Sequence, residues 1–235
     1  MISMLEYYAG ALTKNRSSLI SFAIQPLSFI FLLTVISGGR LLPNALIGAM
    51  VSFIAGVGIA DLAIELAGLK TRSKFYDILM TLPVHPLKLG LGISIGMSLP
   101  ALPYLVLLVL SLAYLEGLSF PKLLSLLAAL ALLWLWSVFV GLYLGVKLKE
   151  PIVIMRASNI ALTLLTVFLP VYYPVEVLPS VLQKPLLLLP TSAAAYLIRS
   201  LYESLPYWKL SLAALLMWAA LSGMLAFWEG IFREE

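Results

Sequence analysis

Six long apolar runs, separated by shorter polar segments, dominate the chain, and none alternates as barrel strands do. A helix needs about 20 apolar residues to cross the hydrocarbon of a bilayer, and each backbone group in lipid must find its hydrogen bond within the span. We therefore predict an all-α integral membrane protein with six transmembrane helices. Their expected positions are residues 19–37, 44–66, 90–115, 122–146, 152–170 and 208–228.

Residues 171–207 are apolar but cannot form one continuous helix, because five prolines interrupt them. An apolar stripe with helical spacing lies opposite Arg199 and Glu203. We expect this outer segment to dip into the outer leaflet and then to form an amphipathic helix, although a seventh crossing, with the C-terminus outside, is the alternative. The stripe consists of Ala194, Leu197, Ile198, Leu201 and Leu205.

Residues 1–18 are mildly amphipathic and predict a lead helix on the inner membrane surface. The apolar run that follows them, residues 19–37, is longer than the core of a usual signal peptide, so we expect an uncleaved first span. The small residues at 37–39 leave cleavage open as the alternative.

A short segment in the loop at 67–89 has a different pattern from the long runs. Residues 74–83 predict an amphipathic helix that ends at Pro83. Lys74, Asp77 and Thr81 lie off its apolar face. That face consists of Phe75, Ile78, Leu79 and Leu82.

The composition agrees with a membrane protein. Of 235 residues, 62% are hydrophobic and 11% are charged, and the mean hydropathy is +1.06. A soluble domain of this length would carry about a quarter charged residues, so the chain has too little polar surface to cover itself in water. The sequence has no cysteine, which excludes disulfides and thiolate sites. We treat residues 1–235 as a single membrane domain.

The net charge of +4 reflects membrane topology rather than nucleic-acid binding, because the basic residues are scattered through loops. With the N-terminus in the cytoplasm, inner segments hold ten Lys and Arg residues and outer segments hold five, which favours cytoplasmic termini in a cell membrane. The inner set is Lys14, Arg16, Lys70, Arg72, Lys74, Lys88, Lys147, Lys149, Arg156 and Arg233. The outer set is Arg40, Lys122, Lys184, Arg199 and Lys209.

Small and polar residues within the spans are candidates for helix packing or for a substrate path. Small residues that recur every four positions let helices approach closely, and a dimer seam or a moving gate is the alternative interpretation. The ridges are Gly48, Ser52, Gly56 and Ala60; Gly92 and Gly96; and Gly141 and Gly145. Gln25 and Asn159 are polar at membrane depth, where each can bond across helices or line a substrate path.

Asp61 and Glu65 lie one helical turn apart near the inner end of the second span. Carboxylates inside a membrane are costly and often mark ion or proton paths. Lys70 and Arg72 follow closely, so an interfacial salt bridge is the first interpretation. The alternative is a proton-coupled secondary transporter that uses the two carboxylates.

Signals for catalysis are weak. The pentapeptide GISIG matches G-x-S-x-G around Ser94, but the one histidine, His85, lies in the 67–89 loop. There is no phosphate-binding loop and no metal-ligand cluster in the sequence. We therefore expect no catalytic, cofactor or metal site, and energy supplied by an ion gradient or another protein. A serine enzyme that uses Ser94 and His85 is a third, weaker hypothesis.

Two segments resemble the type-2 ABC transporter permeases. FYDILMTLPVHPLKLG is similar to the family's loop between the second and third spans, with an amphipathic helix, a small residue, a Leu-Pro turn and a glycine that opens the third span. Residues 177–199 are similar to its outer segment before the last span. The family's glutamate before the turn is absent here. Matching positions are Phe75 to Leu79, Thr81, Leu82–Pro83, Gly90, Leu178–Pro179, Pro190–Thr191 and Arg199.

The resemblance implies that residues 74–83 are a coupling helix, which binds a separate ATP-binding cassette subunit. It also implies an exporter in which the permease pairs with a second copy or a related permease, and the partner subunit consumes the ATP. A helix that lies among lipid headgroups is the alternative. The implied interface consists of Lys74, Phe75, Asp77, Ile78, Leu79, Leu82 and Pro83.

Overall fold

The computed structural model describes residues 16–72, 86–99, 102–148 and 150–228, and every secondary-structure element in these ranges is helical. A π-helix at Gly56–Asp61 connects the helices Leu42–Ala55 and Leu62–Arg72, and a short 3₁₀ helix at Val175–Val177 precedes the helix Ser180–Leu187. The α-helices are α1 (Arg16–Ser37), α2 (Leu42–Ala55), α3 (Leu62–Arg72), α4 (Pro86–Ser98), α5 (Leu102–Leu115), α6 (Phe120–Lys147), α7 (Pro151–Thr166), α8 (Ser180–Leu187), α9 (Pro190–Arg199) and α10 (Trp208–Trp228).

Two continuous helices are long and apolar enough to cross a bilayer, Leu42–Leu69 and Phe120–Lys147. They confirm the spans expected at 44–66 and 122–146. In the apolar 18-residue stretch that qualifies each helix, 83% of the first is buried by the rest of the chain, against 44% of the second. The helix Leu42–Leu69 is therefore the central helix of the bundle, and Phe120–Lys147 presents a broad apolar face to its surroundings.

Two pairs of helices are bent, and counting each pair as one crossing raises the number of candidate spans to four. Leu91–Ser98 and Leu102–Leu115 meet at 63° within the third expected span. Pro103 lies in the first turn of α5, where its missing N–H leaves no hydrogen bond unmade. Shorter apolar helices occur in α1, α7 and α10, so the count of six spans stays a prediction.

The outer segment is broken, as its prolines predict. Ser180–Leu187 and Pro190–Arg199 meet at 103°. The amphipathic surface helix expected here is wrong, however, because α9 ends at Arg199 and all its residues except Leu197 are buried. Arg199 itself is 1% exposed. Its guanidinium is tolerated in the interior because backbone carbonyls accept its hydrogen bonds.

Glycines allow the π-helix and α6 to pack with their backbones unusually close together. A Cβ atom on Gly58 would collide with Ser137, and one on Gly141 would collide with the carbonyl oxygen of Gly58. One turn further along α6, a Cβ on Gly145 would crowd Leu66. These contacts agree with the close helix packing predicted for the ridge at 141 and 145, and they hold the second span against the fourth.

We predict that Gly141→Ala lowers stability by about 1–3 kcal/mol, because the added methyl group forces the two backbones apart. Thermal unfolding of the detergent-solubilised protein measures the loss. Gly223→Ala is the matched control, since a Cβ there has no neighbour within 4 Å. Equal melting temperatures for Gly141→Ala and the wild type would show that the two helices are not held in this contact.

Candidate functional site

A polar cavity of about 210 Å³ opens beside the π-helix. It lies among α1, α2, the π-helix, α7 and the turn that follows α7. Polar residues from distant parts of the sequence meet there, within a bundle that is otherwise apolar. Its lining includes Ser52, Phe53, Gly56, Asp61, Asn159 and Tyr172.

The π-helix shapes one wall of this cavity. Its wider turn is rare and frequently occurs at functional sites. Gly56 has no side chain, and a Cβ built there would meet only Leu162, at 3.7 Å. The opposite side of the same helix packs on α6 through Gly58. One six-residue segment therefore supplies both a tight helix contact and an open polar wall.

Two buried hydroxyl groups face the cavity. Ser52 is 7% exposed and Tyr172 is 6% exposed. The two hydroxyls lie close enough to interact, with the Tyr104 hydroxyl nearby, but none of the three completes a hydrogen bond with another described residue. An unsatisfied buried polar group costs about 1–3 kcal/mol. Such groups require an explanation, and bound water or a ligand in the cavity provides one.

Asp61 and Asn159 add a carboxylate and a carboxamide to the lining. Asp61 is half-buried at the end of the π-helix, and its carboxylate makes no hydrogen bond or ion pair with any residue that the structure describes. Asn159 is exposed on α7 and marks the open side of the cavity. Of the described lining residues, Asp61 alone carries a charge.

Tyr172 is held in place from both sides. Its ring stacks on Phe29, with centroids 4.7 Å apart, and it occupies the space that a side chain at Gly48 would need. The adjacent carbonyl of Val171 accepts a hydrogen bond of 2.7 Å from Arg199 Nη2, and the carbonyl of Pro170 accepts one of 3.5 Å from Nη1. The outer segment thus fixes the turn that carries Tyr172 into the cavity.

A further hydrogen bond, donated by a threonine hydroxyl, connects the same region of the chain to α9. Thr191 Oγ1 donates a hydrogen bond of 2.5 Å to the carbonyl oxygen of Leu165, near the end of α7. The helix α9 is therefore bonded to the chain at two points before Tyr172, through Thr191 to the end of α7 and through Arg199 to the turn. The position of Tyr172 depends on these two contacts.

A larger cavity of about 310 Å³ lies on the other side of Phe53 and Val57, against α4, α5 and α6. Its lining is apolar except for Ser98, whose Oγ already accepts a hydrogen bond of 2.8 Å from Trp134 Nε1. It has no free polar group that would orient a ligand among the described residues. The smaller polar cavity is therefore the candidate site.

The structure brings several of the sequence candidates together. Ser52, Gly56, Asp61 and Asn159 line the cavity, and Gly48 makes room for its tyrosine. Glu65 is not part of the lining. The backbone of Gln25 belongs to α1, next to the lining residue Pro26, but its side chain lies outside the described part of the structure.

Other candidates cannot be placed. The whole predicted interface falls outside the described residues, as do the lead helix up to residue 15 and His85. Ser94 is buried in α4. The side chains of Lys70 and Arg72 are likewise outside the described set, so the salt-bridge interpretation of Asp61 and Glu65 stays a prediction. The interface residues concerned are Lys74, Phe75, Asp77, Ile78, Leu79, Leu82 and Pro83.

Sequence reasoning missed Tyr172 and Arg199 as parts of this site. The pattern around Arg199 suggested a solvated polar face, although a lone arginine among apolar residues is also typical of a buried anchor. Tyr172 follows the fifth apolar run and has no periodic signal. Only its ring contacts with α1 and α2 identify its role.

The apolar helices and the polar cavity between them indicate a membrane-embedded protein that is helical in architecture throughout the part of the chain that the structure describes. No protein-family model matches the chain, and no curated protein matches it either.

We predict that Arg199→Met lowers stability by roughly 2–4 kcal/mol, because two buried carbonyls lose a charged donor. Thermal unfolding measures the loss. Arg156→Met is the control, since Arg156 is exposed on α7. If the Arg199→Met protein melts at the same temperature as the wild type, the anchoring role of Arg199 is contradicted.

Proposed function

We propose that the chain is the membrane-spanning permease subunit of an ATP-driven ABC exporter, worked by a separate ATP-binding subunit. The observation that carries this proposal is the polar cavity inside an apolar bundle. A fold optimised for stability alone would fill such a space with apolar side chains, because unpaired polar groups are costly away from water. A protein that moves a polar group across the membrane needs such a space.

The resemblance of two segments to type-2 ABC permeases indicates the source of energy for transport, which is ATP hydrolysis by a partner subunit. In the described segment, 177–199, the matched residues have clear structural roles: Pro190 begins α9, Thr191 bonds α7 and Arg199 anchors the turn that precedes Tyr172. The other segment, 74–83, supplies the coupling helix. Its apolar stripe suits a groove on a soluble partner, with Lys74 and Asp77 at the rim.

The proposed mechanism is a rigid-body switch. Six spans with both termini in the cytoplasm place the coupling helix where an ATPase subunit can bind it. Closure of the ATPase pair on ATP moves the coupling helices of two permease subunits, and the cavity changes the side to which it opens. The permease contributes binding and motion, whereas the partner contributes the hydrolysis.

We predict that the affinity-tagged chain, isolated in mild detergent from its native cells, copurifies with an ATP-binding cassette protein. Leu79→Asp and Phe75→Ala should each weaken that association at least about tenfold, because both remove apolar anchors. Thr81→Ser, off the stripe, is the matched control. Full association and transport in both stripe variants would contradict the coupling role.

A second candidate function is proton-coupled transport, and the carboxylate of Asp61, which lines the cavity and pairs with no described residue, favours it. This alternative predicts transport into proteoliposomes that is driven by a pH gradient without any ATPase. Asp61→Asn would abolish that transport. ATP-dependent transport that needs the partner subunit, and continues without a gradient, would instead support the exporter.

A further inference from the structure

We propose that the polar cavity binds the ammonium group of a small organic cation, and that this cation is the transported substrate. The second part rests on the proposed transport function, whereas the binding depends only on this chain. One carboxylate, two aromatic residues and two buried hydroxyls that complete no hydrogen bond with a described residue surround a single space.

The charge of the cavity lining favours a positively charged ligand. Asp61 is the one charged residue among the described residues that line the cavity, and no described lining residue is Lys or Arg. A carboxylate in a partly buried site that forms no ion pair with a described residue attracts a cation strongly. A phosphate or a carboxylate ligand would meet repulsion there and would find no basic partner.

The aromatic residues of the lining favour an organic cation over a metal ion as the ligand. The aromatic residues Phe53 and Tyr172 belong to the lining of the same cavity as Asp61. Aromatic faces beside a carboxylate are typical of ammonium recognition, since the ring quadrupole attracts a diffuse cation. Both rings are fixed by neighbours: Phe53 meets Tyr104 edge to face at 5.0 Å, and Tyr172 stacks on Phe29 at 4.7 Å.

The buried hydroxyls and the volume of the cavity restrict the range of possible ligands further. Ser52 and Tyr172 offer hydrogen bonds that no described residue takes up, and Asn159 lies at the open side. The cavity, at about 210 Å³, is smaller than the roughly 300–1,000 Å³ of pockets for drug-sized molecules. A compact amine with one hydroxyl group, of the size of choline, fits this description.

The test uses choline and its uncharged carbon isostere, 3,3-dimethylbutan-1-ol, with the full chain in phosphatidylglycerol nanodiscs and isothermal titration calorimetry. We expect choline to bind at least about tenfold more tightly than the isostere, because only choline carries the charge. Phosphocholine should bind at least about tenfold more weakly than choline, since its phosphate brings negative charge into a cavity that has a carboxylate and no basic partner among its described lining residues. Equal affinities within either pair, or no binding of choline, would overturn the proposal.

Substitutions test whether the lining residues contribute to choline binding. Asp61→Asn should weaken choline binding at least about tenfold, whereas Glu150→Gln should leave it unchanged, since Glu150 is exposed and makes no side-chain cap bond. Tyr172→Leu should weaken binding more than Tyr172→Phe, which keeps the ring. Unaltered binding in folded Asp61→Asn protein would refute the assignment. These measurements need no ATPase, so a failure to bind choline leaves the exporter proposal standing, and a failure to copurify an ATPase leaves the cation site standing.

Discussion

The contact between the π-helix and α6 is the constraint on which the rest of the described structure depends. Gly58 and Gly141 bring two backbones together with Ser137 between them, and no larger side chain fits at either glycine. Helices in lipid associate mainly through such packing, because the solvent around them is as apolar as their side chains. The contact fixes the second span at the centre of the bundle, and thereby turns the opposite side of the π-helix towards the cavity.

The polar cavity and the outer segment are linked by direct contacts. Arg199 holds the carbonyl of Val171, the next residue is Tyr172, and its ring fills the space above Gly48. A movement of α9 therefore changes the shape of the polar cavity through a few direct contacts. This arrangement suits a transporter, since a shift in the outer segment alters the site without any change in the central helix.

Apolar run length was enough to predict the spans at 44–66 and 122–146, and the prolines were enough to predict that residues 171–207 are broken. The ridge of small residues also pointed to Ser52 and Gly56. The π-helix was not predictable, because glycine-rich apolar sequence is equally compatible with a regular α-helix. Nor was the burial of Arg199, since its partners at residues 170 and 171 are distant in sequence and periodicity reports only local faces.

A polar cavity beside the π-helix within the membrane should admit water, and the absence of cysteine from the sequence makes a direct measurement of that access possible. Gly56→Cys places a thiol in the cavity with ordinary contacts, whereas Ser137→Cys places one in the closed contact between α6 and the π-helix. Both variants, reconstituted in lipid bilayers, are treated with a small cationic methanethiosulfonate reagent. We predict rapid modification at position 56 and almost none at position 137. Equal protection of the two thiols would contradict the existence of the cavity.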